Sequence, residues 1–162
     1  MHESTRRVIT SRGEFHDAFR AALALAADAG AREIFFCDAD FADWPLGERS
    51  VVEELARWAH SRRRLTLLAH TFEEVSRRHG RWTEWRRQWA HVVDCRTNQE
   101  IEAAQMPTIC LVAEHCSLRL SDPVRYRGLA SREPADALAC REAVDAVLQR
   151  SIETFPATTL GL

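Results

Sequence analysis

The sequence MPTICLVAEHCSLRLSD, residues 106–122, is the place where the pattern of the chain changes. Two apolar runs, residues 108–113 and 116–120, are separated by Glu114 and His115. Apolar runs joined by so short a polar connection are typical of an antiparallel hairpin. Residues 126–130 predict a further strand, so we expect the second half of the chain to contain antiparallel strands.

Upstream of this stretch, predicted strands and helices alternate. Apolar runs predict strands at residues 7–10, 33–37, 65–69 and 91–95. Helical spacing of apolar residues predicts helices at residues 14–29, 50–60 and 72–90, the last with a break at Gly80.

Downstream of the hairpin, one more helix is predicted. Pro134 stands near its first turn, where a missing N–H costs nothing, and the helix extends over residues 135–154. Its inward face is expected to carry Leu138, Val144, Val147, Leu148 and Ile152. The whole order predicts a single α/β domain over residues 1–162. We expect a mixed, mostly parallel sheet flanked by helices on both faces, with a late antiparallel hairpin and a C-terminal helix.

The basic residues are unusual because all 22 are arginine and none is lysine. Mechanisms that need a lysine amine, such as Schiff-base formation or a phosphate-loop lysine, are therefore excluded. The 24 acidic residues leave a net charge of −2. This balance provides no overall positive field, which argues against nucleic acid and anionic membranes as partners.

The five cysteines form no CxxC pair, which argues against a disulfide framework and against a structural zinc site. We expect them to be reduced and mostly buried. The N-terminal residues contain no apolar signal core, and no apolar run reaches the roughly 20 residues of a membrane span. These features predict a cytoplasmic protein.

The order of predicted elements resembles one half of the phospholipase D-like fold. That family's signature is a histidine, a lysine two residues later and an aspartate five residues after the lysine, on a late strand where a hairpin begins. Laid on residues 106–122, the signature places Pro107 at the histidine, Ile109 at the lysine and Glu114 at the aspartate. The resemblance implies the fold without the chemistry, because neither proline nor isoleucine provides a nucleophile or a cation.

The same resemblance implies a homodimer, since in that family two halves face each other across a two-fold axis and this chain contains one half. We expect a second copy to cover the hairpin, residues 108–120, and the apolar tail, residues 155–162. The tail itself is similar to that of uncharacterised proteobacterial proteins.

A cluster of acids follows the predicted strand at residues 33–37. Asp38, Asp40 and Asp43 stand at its carboxyl end, where open α/β sheets usually bind ligands. Carboxylates at i and i+2 suit a hard cation such as Mg²⁺, and Glu114 is a further candidate ligand. The simpler interpretation is that these acids cap the following turn.

Residues 33–40 also resemble the nucleophile motif of haloacid dehalogenase-like phosphatases. The resemblance implies Asp38 as nucleophile and Asp40 as acid/base. Ala42 stands where that family has threonine or valine, and the family's later basic and acidic residues have no clear counterpart in this chain.

The second unusual stretch is RRHGRWTEWRRQW, residues 77–89. Its tryptophans recur at helical spacing with arginines beside them, which defines a candidate binding face formed by Arg81, Trp82, Trp85, Arg86 and Trp89. Such a face suits base stacking on single-stranded nucleic acid or contact with a protein partner. The alternative is a core-facing helix whose border is covered by arginine stems.

Together these observations favour a non-catalytic α/β interaction or ligand-binding module without a cofactor. Two alternatives stay open. One is a metal-dependent phosphoester hydrolase that uses Asp38 and Asp40, with Mg²⁺ as the possible cofactor. The other is a nucleic-acid-binding protein that uses the helix at residues 77–89.

Overall fold

The structure, a computed structural model, describes residues 5–155. Its strands are β1 (Arg6–Ile9), β2 (Glu33–Cys37), β3 (Arg64–Ala69), β4 (Val93–Thr97), β5 (Thr108–Val112), β6 (Cys116–Asp122), β7 (Arg127–Ser131) and β8 (Ile152–Glu153). Its helices are α1 (Arg12–Ala29), α2 (Arg49–Trp58), α3 (Glu73–Arg78), α4 (Gly80–Gln88) and α5 (Pro134–Leu148), with a short 3₁₀ helix at Ala103–Gln105.

The eight strands described form one open sheet in the order β1-β7-β6-β5-β2-β3-β4-β8. The β2–β3 and β3–β4 pairs are parallel, whereas the other pairs are antiparallel. The prediction of a mixed sheet with a late hairpin is confirmed. The expectation of mostly parallel pairing is wrong, because β1 does not lie beside β2 and pairs instead with β7 at the sheet edge.

Strand β2 separates two hydrophobic cores, because successive side chains of a strand point to opposite faces. Ile34 and Phe36 join the larger core, which packs beneath α1, α2 and α4. Phe35 and Cys37 join the smaller core beneath α5. Helices therefore cover both faces, as predicted, and the continuous apolarity of β2 reflects burial on both sides.

The chain leaves α5 earlier than its sequence predicts. Helix α5 ends at Leu148, and β8 follows as a short strand on the free edge of β4. The side chain of Arg96 on β4 donates to the Ser151 hydroxyl at 2.8 Å, and Thr154 N–H donates to the Cys95 carbonyl at 2.9 Å. These contacts hold residues 151–154 against the sheet. The helix predicted for residues 149–154 from the spacing of their apolar residues therefore does not form.

Two of the side chains predicted to face inward on α5 are exposed. Leu138 is 60% exposed on the helix, and Ile152 is 68% exposed on β8. Val144 and Val147 are buried as predicted. Pro134 starts the helix, which agrees with the prediction of proline in the first turn.

The break between α3 and α4 lies at His79, one residue before the predicted break at Gly80. The His79 ring nitrogen Nε2 lies 2.8 Å from the Phe41 carbonyl oxygen, and this contact fixes the position of the break against the loop after β2. All five cysteines are buried and unpaired, which agrees with their predicted role as small apolar residues.

Across residues 5–155, no helix combines the length and the apolarity needed to cross a bilayer. The predicted packing of the tail beyond Phe155 concerns residues 156–162, which lie outside the described part of the chain.

Candidate functional site

The acids predicted as a site lie where β2 ends and β5 begins. Because β5 runs antiparallel to β2, the start of β5 lies beside the carboxyl end of β2. Thr108, the first residue of β5, donates its hydroxyl hydrogen to Asp38 Oδ1 at 2.7 Å. The strand directions thus bring together two residues that lie 70 positions apart in the sequence.

The other oxygen of Asp38 organises the loop that follows. Asp38 Oδ2 accepts from Phe41 N–H at 2.9 Å and from Asp40 N–H at 3.4 Å. Asp40 Oδ1 in turn accepts from Ala42 N–H at 2.9 Å. Both carboxylates therefore cap turns of the loop, which is the simpler of the two interpretations of these acids.

The loop also contains a strained backbone position. Phe41 has φ = 60°, in the left-handed region that favours glycine. Its ring is fully buried and meets the Trp44 ring edge-to-face with the centroids 4.8 Å apart. The aromatic packing and the hydrogen bond to Asp38 hold the residue in this conformation.

The environment of Asp38 disfavours its charge. Burial raises the pKa of the Asp38 carboxyl above its ordinary value, while hydrogen bonds from Thr108 and from the Phe41 N–H oppose part of the rise. A carboxyl with a raised pKa holds its proton more tightly than a free carboxyl does. The two oxygens of Asp38 already accept three hydrogen bonds from the protein.

A second polar group stands beside this loop. The Tyr126 backbone is also left-handed, with φ = 54°. Burial raises the pKa of the Tyr126 phenol, the charge of Asp43 adds to the rise, and a hydrogen bond with Arg12 opposes it. His16 Nε2 donates to the Asp43 carbonyl oxygen at 2.7 Å, and burial lowers the pKa of its ring. We call Asp38, Asp40, Asp43, Thr108 and Tyr126 the sheet-end cluster.

Sequence reasoning missed part of this cluster. It named Asp38, Asp40 and Asp43, which share one loop, but not Thr108 or Tyr126. No local pattern points to either residue, because the pairing of β5 with β2 places Thr108 there and the turn between β6 and β7 places Tyr126 there. The available signal was the predicted hairpin. If β5 runs antiparallel to β2, the first residue of β5, and not its last, lies beside the carboxyl end of β2.

Glu114 lies away from the cluster, so its predicted convergence with the other acids is wrong. It occupies the turn between β5 and β6 with φ = 72°. Its neighbour Ala113 donates from N–H to the Glu33 carbonyl, at the opposite end of β2 from Asp38. Within residues 5–155, no group of three or more histidine, cysteine, aspartate or glutamate side chains is arranged to hold a metal ion.

The positions that match the histidine and the lysine of the phospholipase D-like signature carry no reactive group. Ile109 is fully buried in the core beneath α5, together with Phe35 and Leu111. Pro107 precedes β5 and offers neither a donor nor a nucleophile. The polar contact at this end of β5 is the one between Thr108 and Asp38.

Helix α4 packs its tryptophans into the core, which corrects the binding face predicted for residues 77–89. Trp82 is fully buried, and Trp85 and Arg86 are each 5% exposed. Trp89 is half-buried, and the exposed Arg81 donates to the Gly47 carbonyl at 2.7 Å. The five residues do not form one open surface, because the spacing of the tryptophans follows the side that packs on the sheet.

Arg86 is a charged residue in this core. Its Nε donates to Cys95 Sγ at 3.2 Å, and its guanidinium lies 5.4 Å from the centre of the Phe155 ring. Trp82 Nε1, Trp85 Nε1 and Arg86 Nη1 are buried donors that find no hydrogen-bond partner within residues 5–155. Such groups destabilise a folded protein by roughly 1–3 kcal/mol each.

The sequence matches no protein-family model and no curated protein. Its fold, however, is similar to that of several solved structures. One is TrmBL2, an archaeal chromatin protein whose structure shows a novel mode of DNA binding. The likeness has a TM-score of 0.65 at 11% identity and covers 93% of this chain but 54% of TrmBL2, so the chain spans about half the length of that protein.

Two further similar structures cover nearly the whole length of both chains. Nuc from Salmonella typhimurium, a phospholipase D family member, has a TM-score of 0.60 at 10% identity, with 94% of this chain and 99% of Nuc covered. NucT from Helicobacter pylori has a TM-score of 0.57 at 9% identity, with 92% and 98% covered. The chain therefore has a phospholipase D-like fold, and at these identities the likeness concerns the fold alone.

Proposed function

We propose that this chain is a non-catalytic interaction or ligand-binding module built on the phospholipase D-like fold. The main support for the proposal is that the first residues of β5 have structural roles. There Thr108 and Asp38 hydrogen-bond to each other, and the adjacent Ile109 is a core residue. In phospholipase D-like proteins this strand end carries a nucleophile and a cation. In this chain it fixes Asp38 and the loop that follows β2.

The electrostatics support the same proposal. A phosphoryl group needs positive charge at the reacting site, and this end of the sheet presents the carboxylates of Asp38, Asp40 and Asp43. Asp38 is also a poor nucleophile in its present place, because both of its oxygens accept hydrogen bonds from the loop and from Thr108.

The left-handed residues support a binding role for the sheet-end cluster. Phe41 and Tyr126 both have positive φ, a conformation that costs of order 1–3 kcal/mol for a residue other than glycine. Strain of this kind collects at binding and active sites, where the surrounding packing holds a loop in a defined shape. The exposed Asp43 carboxylate and the Tyr126 phenol would be the groups presented to a partner.

A hydrolysis assay tests the absence of catalysis. The purified protein is incubated with a chromogenic phosphodiester and with a single-stranded oligonucleotide, once with EDTA and once with Mg²⁺. We expect no turnover above buffer in either condition. Metal-independent turnover that Glu114→Gln abolishes would contradict the proposal, because the family motif would then be active. Mg²⁺-dependent turnover that Asp40→Asn abolishes would favour the hydrolase alternative.

A thermal-unfolding assay tests the cation separately. A ligand that binds the native state alone raises Tm by mass action. We expect Tm to be unchanged by millimolar Mg²⁺ in the wild type and in Asp40→Asn. A rise in the wild type that Asp40→Asn removes would assign a cation to the sheet-end cluster.

DNA binding is the second candidate function, and the likeness to TrmBL2 is the observation that favours it. The net charge of −2 and the burial of Trp82 and Trp85 weigh against it, since binding to phosphates needs a basic surface and stacking needs exposed rings. Fluorescence anisotropy with single-stranded and duplex oligonucleotides at low and high salt distinguishes the two. Salt-dependent binding at micromolar protein would favour the DNA-binding alternative.

A further inference from the structure

A groove separates α1 from the outer strands of the sheet, at the opposite end from the sheet-end cluster. It has a volume of about 350 Å³, which lies in the range of small-molecule sites. Helix α1 packs over the middle of the sheet and borders the groove with Ala18, Ala21, Ala22 and Leu25. Because alanine side chains are short, this stretch of the helix leaves space above the outer strands.

The floor of the groove is apolar. Strand pairing sets Leu118 of β6 beside Ala130 of β7, and Ala130 beside Arg7 of the edge strand β1. Cys116, at the start of β6, completes the floor and is 8% exposed. An aliphatic chain laid on this floor would be removed from water, which stabilises the complex by roughly 25 cal/mol for each Å² buried.

Arginines stand along one side of the groove. Among residues 5–155, Arg6, Arg7 and Arg132 border it, and no aspartate or glutamate does. Arg6 pairs with Asp136 on the other face of the sheet at 2.7 Å. Arg7 and Arg132 are exposed and form no ion pair with a carboxylate in residues 5–155. Two guanidinium groups at the end of an apolar floor are suited to a carboxylate, which arginine can bind through two parallel hydrogen bonds.

We propose that this groove binds a medium-length fatty acid anion, with the chain on Leu118, Ala130 and the alanines of α1, and with the carboxylate on Arg7 and Arg132. This groove shares no residue with the sheet-end cluster and lies at the opposite end of the sheet. Binding of a fatty acid can therefore be refuted without refuting the proposed function, and the reverse also holds.

Calorimetry with three eight-carbon probes tests the chemistry of the ligand. Octanoate is expected to bind with saturation at one site per chain, whereas octan-1-ol and protonated octylamine have the same chain without the negative charge. Hydrogen bonds to charged groups contribute about 1.5–3 kcal/mol, so Arg132→Glu and Arg7→Glu should each weaken octanoate binding roughly tenfold or more. The control is Arg62→Glu, an exposed arginine away from the groove.

A second pair of variants tests the location. Ala21 is exposed at the groove, so Ala21→Trp should block it without disturbing the core, and octanoate binding should be lost. Ala56→Trp, at an exposed position on α2, is the matched control and should bind octanoate like the wild type. Circular dichroism checks that both variants are folded.

Cys116 provides a readout that does not depend on heat. Burial raises the pKa of its thiol to about 11, and the charge of Arg132 opposes the rise. Cys116 is the most exposed of the five cysteines, so slow alkylation at mildly alkaline pH should label it first. Mass spectrometry should show that octanoate slows this labelling and that octylamine does not.

Any of three binding results would overturn the proposal. These are equal binding of octanoate and octan-1-ol, octanoate binding that survives Ala21→Trp, and the absence of any saturable binding. Protein self-association that Ala21→Trp removes would also overturn it, because the groove would then be occupied by a second copy of the chain.

Discussion

Asp38 shows how a half-buried residue can serve a structural role and still resemble a catalytic group. Its carboxylate follows a buried strand, as a nucleophile would, but its oxygens accept from Thr108, Asp40 and Phe41. These hydrogen bonds need acceptors and do not need a full negative charge. An amide oxygen can replace one carboxylate oxygen, and the Thr108 hydroxyl can rotate to accept from an amide N–H.

The raised pKa of Asp38 gives a prediction with a definite sign. A carboxyl whose pKa is higher in the folded chain adds stability that is fully present below the unfolded pKa and is lost as pH rises through the folded pKa. At neutral pH the ionised Asp38 therefore destabilises the fold relative to a neutral isostere. We expect Asp38→Asn to raise Tm at neutral pH, and the gain to vanish as pH falls to the ordinary value of 3.8.

Thermal unfolding of both proteins at several pH values checks this expectation. Asp43→Asn is the control for the substitution itself, since Asp43 lies in the same loop and its side chain is exposed. A lower Tm for Asp38→Asn at neutral pH would mean that the charge itself is needed, and would strengthen the case for a bound cation.

Trp85 carries a second prediction at the scale of the residue. It is 5% exposed on the core side of α4, so Trp85→Ala should lower the free energy of unfolding by roughly 3–5 kcal/mol. Trp85→Phe should cost less, because it keeps an aromatic ring and removes an indole N–H that has no hydrogen-bond partner.

Urea denaturation measures both effects, and Trp89→Ala is the comparison because Trp89, the residue that directly follows α4, is half-buried. If Trp85→Ala destabilised the protein no more than Trp89→Ala, the assignment of this side of α4 to the core would be wrong. Acrylamide should also quench the emission of Trp85 poorly.

At the scale of the element, the spacing of apolar residues predicts where strands and helices lie. Strand β2 occupies the predicted residues 33–37 because its unbroken apolar run is buried on both faces. Helix α1 ends at the predicted Gly30, whose φ of 67° suits glycine. Periodicity does not specify strand direction, so the neighbours of β1 and β5 could not be predicted from it. The end of α5 was also missed, because β8 depends on its hydrogen bonds to β4.

The pairing of β6 with β7 gives a prediction that depends on a close approach of two strands. A Cβ atom added at Gly128 would lie 2.0 Å from the Arg119 carbonyl oxygen and 2.7 Å from Leu120 Cα. Both contacts are with backbone, which cannot move without breaking the pairing beside the irregular register at Leu120 and Asp122. We expect Gly128→Ala to destabilise the protein by about 1–3 kcal/mol or more.

Gly13→Ala is the matched control for this substitution. Gly13 lies in the first turns of α1, and an added Cβ meets nothing within 4 Å. Alanine there should stabilise the helix by about 0.5–1 kcal/mol. Chemical denaturation of the two variants should therefore give changes of opposite sign, and a neutral result at Gly128 would contradict the strand packing described.

At the scale of the whole molecule, the two ends of the sheet are distinct. The carboxyl end of β2 carries the acids and the strained loop, whereas the arginine-bordered groove lies near the starts of β1 and β6. All of β5 and most of β6 are buried within one chain, so the hairpin does not need a second copy to cover it.

The resemblance to phospholipase D-like halves also implies a location for the two-fold contact, because in that family the signature segments of the two halves face each other across the axis. In this chain the corresponding end includes the turn between β6 and β7, where Val124 is 89% exposed. An apolar side chain so exposed is a suitable centre for a self-complementary contact, since it would be repeated on both sides of the axis. We therefore expect a homodimer joined through the sheet end.

Light scattering after size exclusion should give about twice the chain mass of 18.5 kDa at micromolar concentration. Val124→Glu should shift the protein to a monomer, because two copies of the charge would face each other across the axis. Leu138→Glu is the control, since Leu138 is 60% exposed on α5 and away from the sheet end, and it should leave the mass unchanged. A wild-type monomer across a tenfold dilution would refute the dimer. A dimer lost only in Leu138→Glu would instead place the two-fold axis at α5.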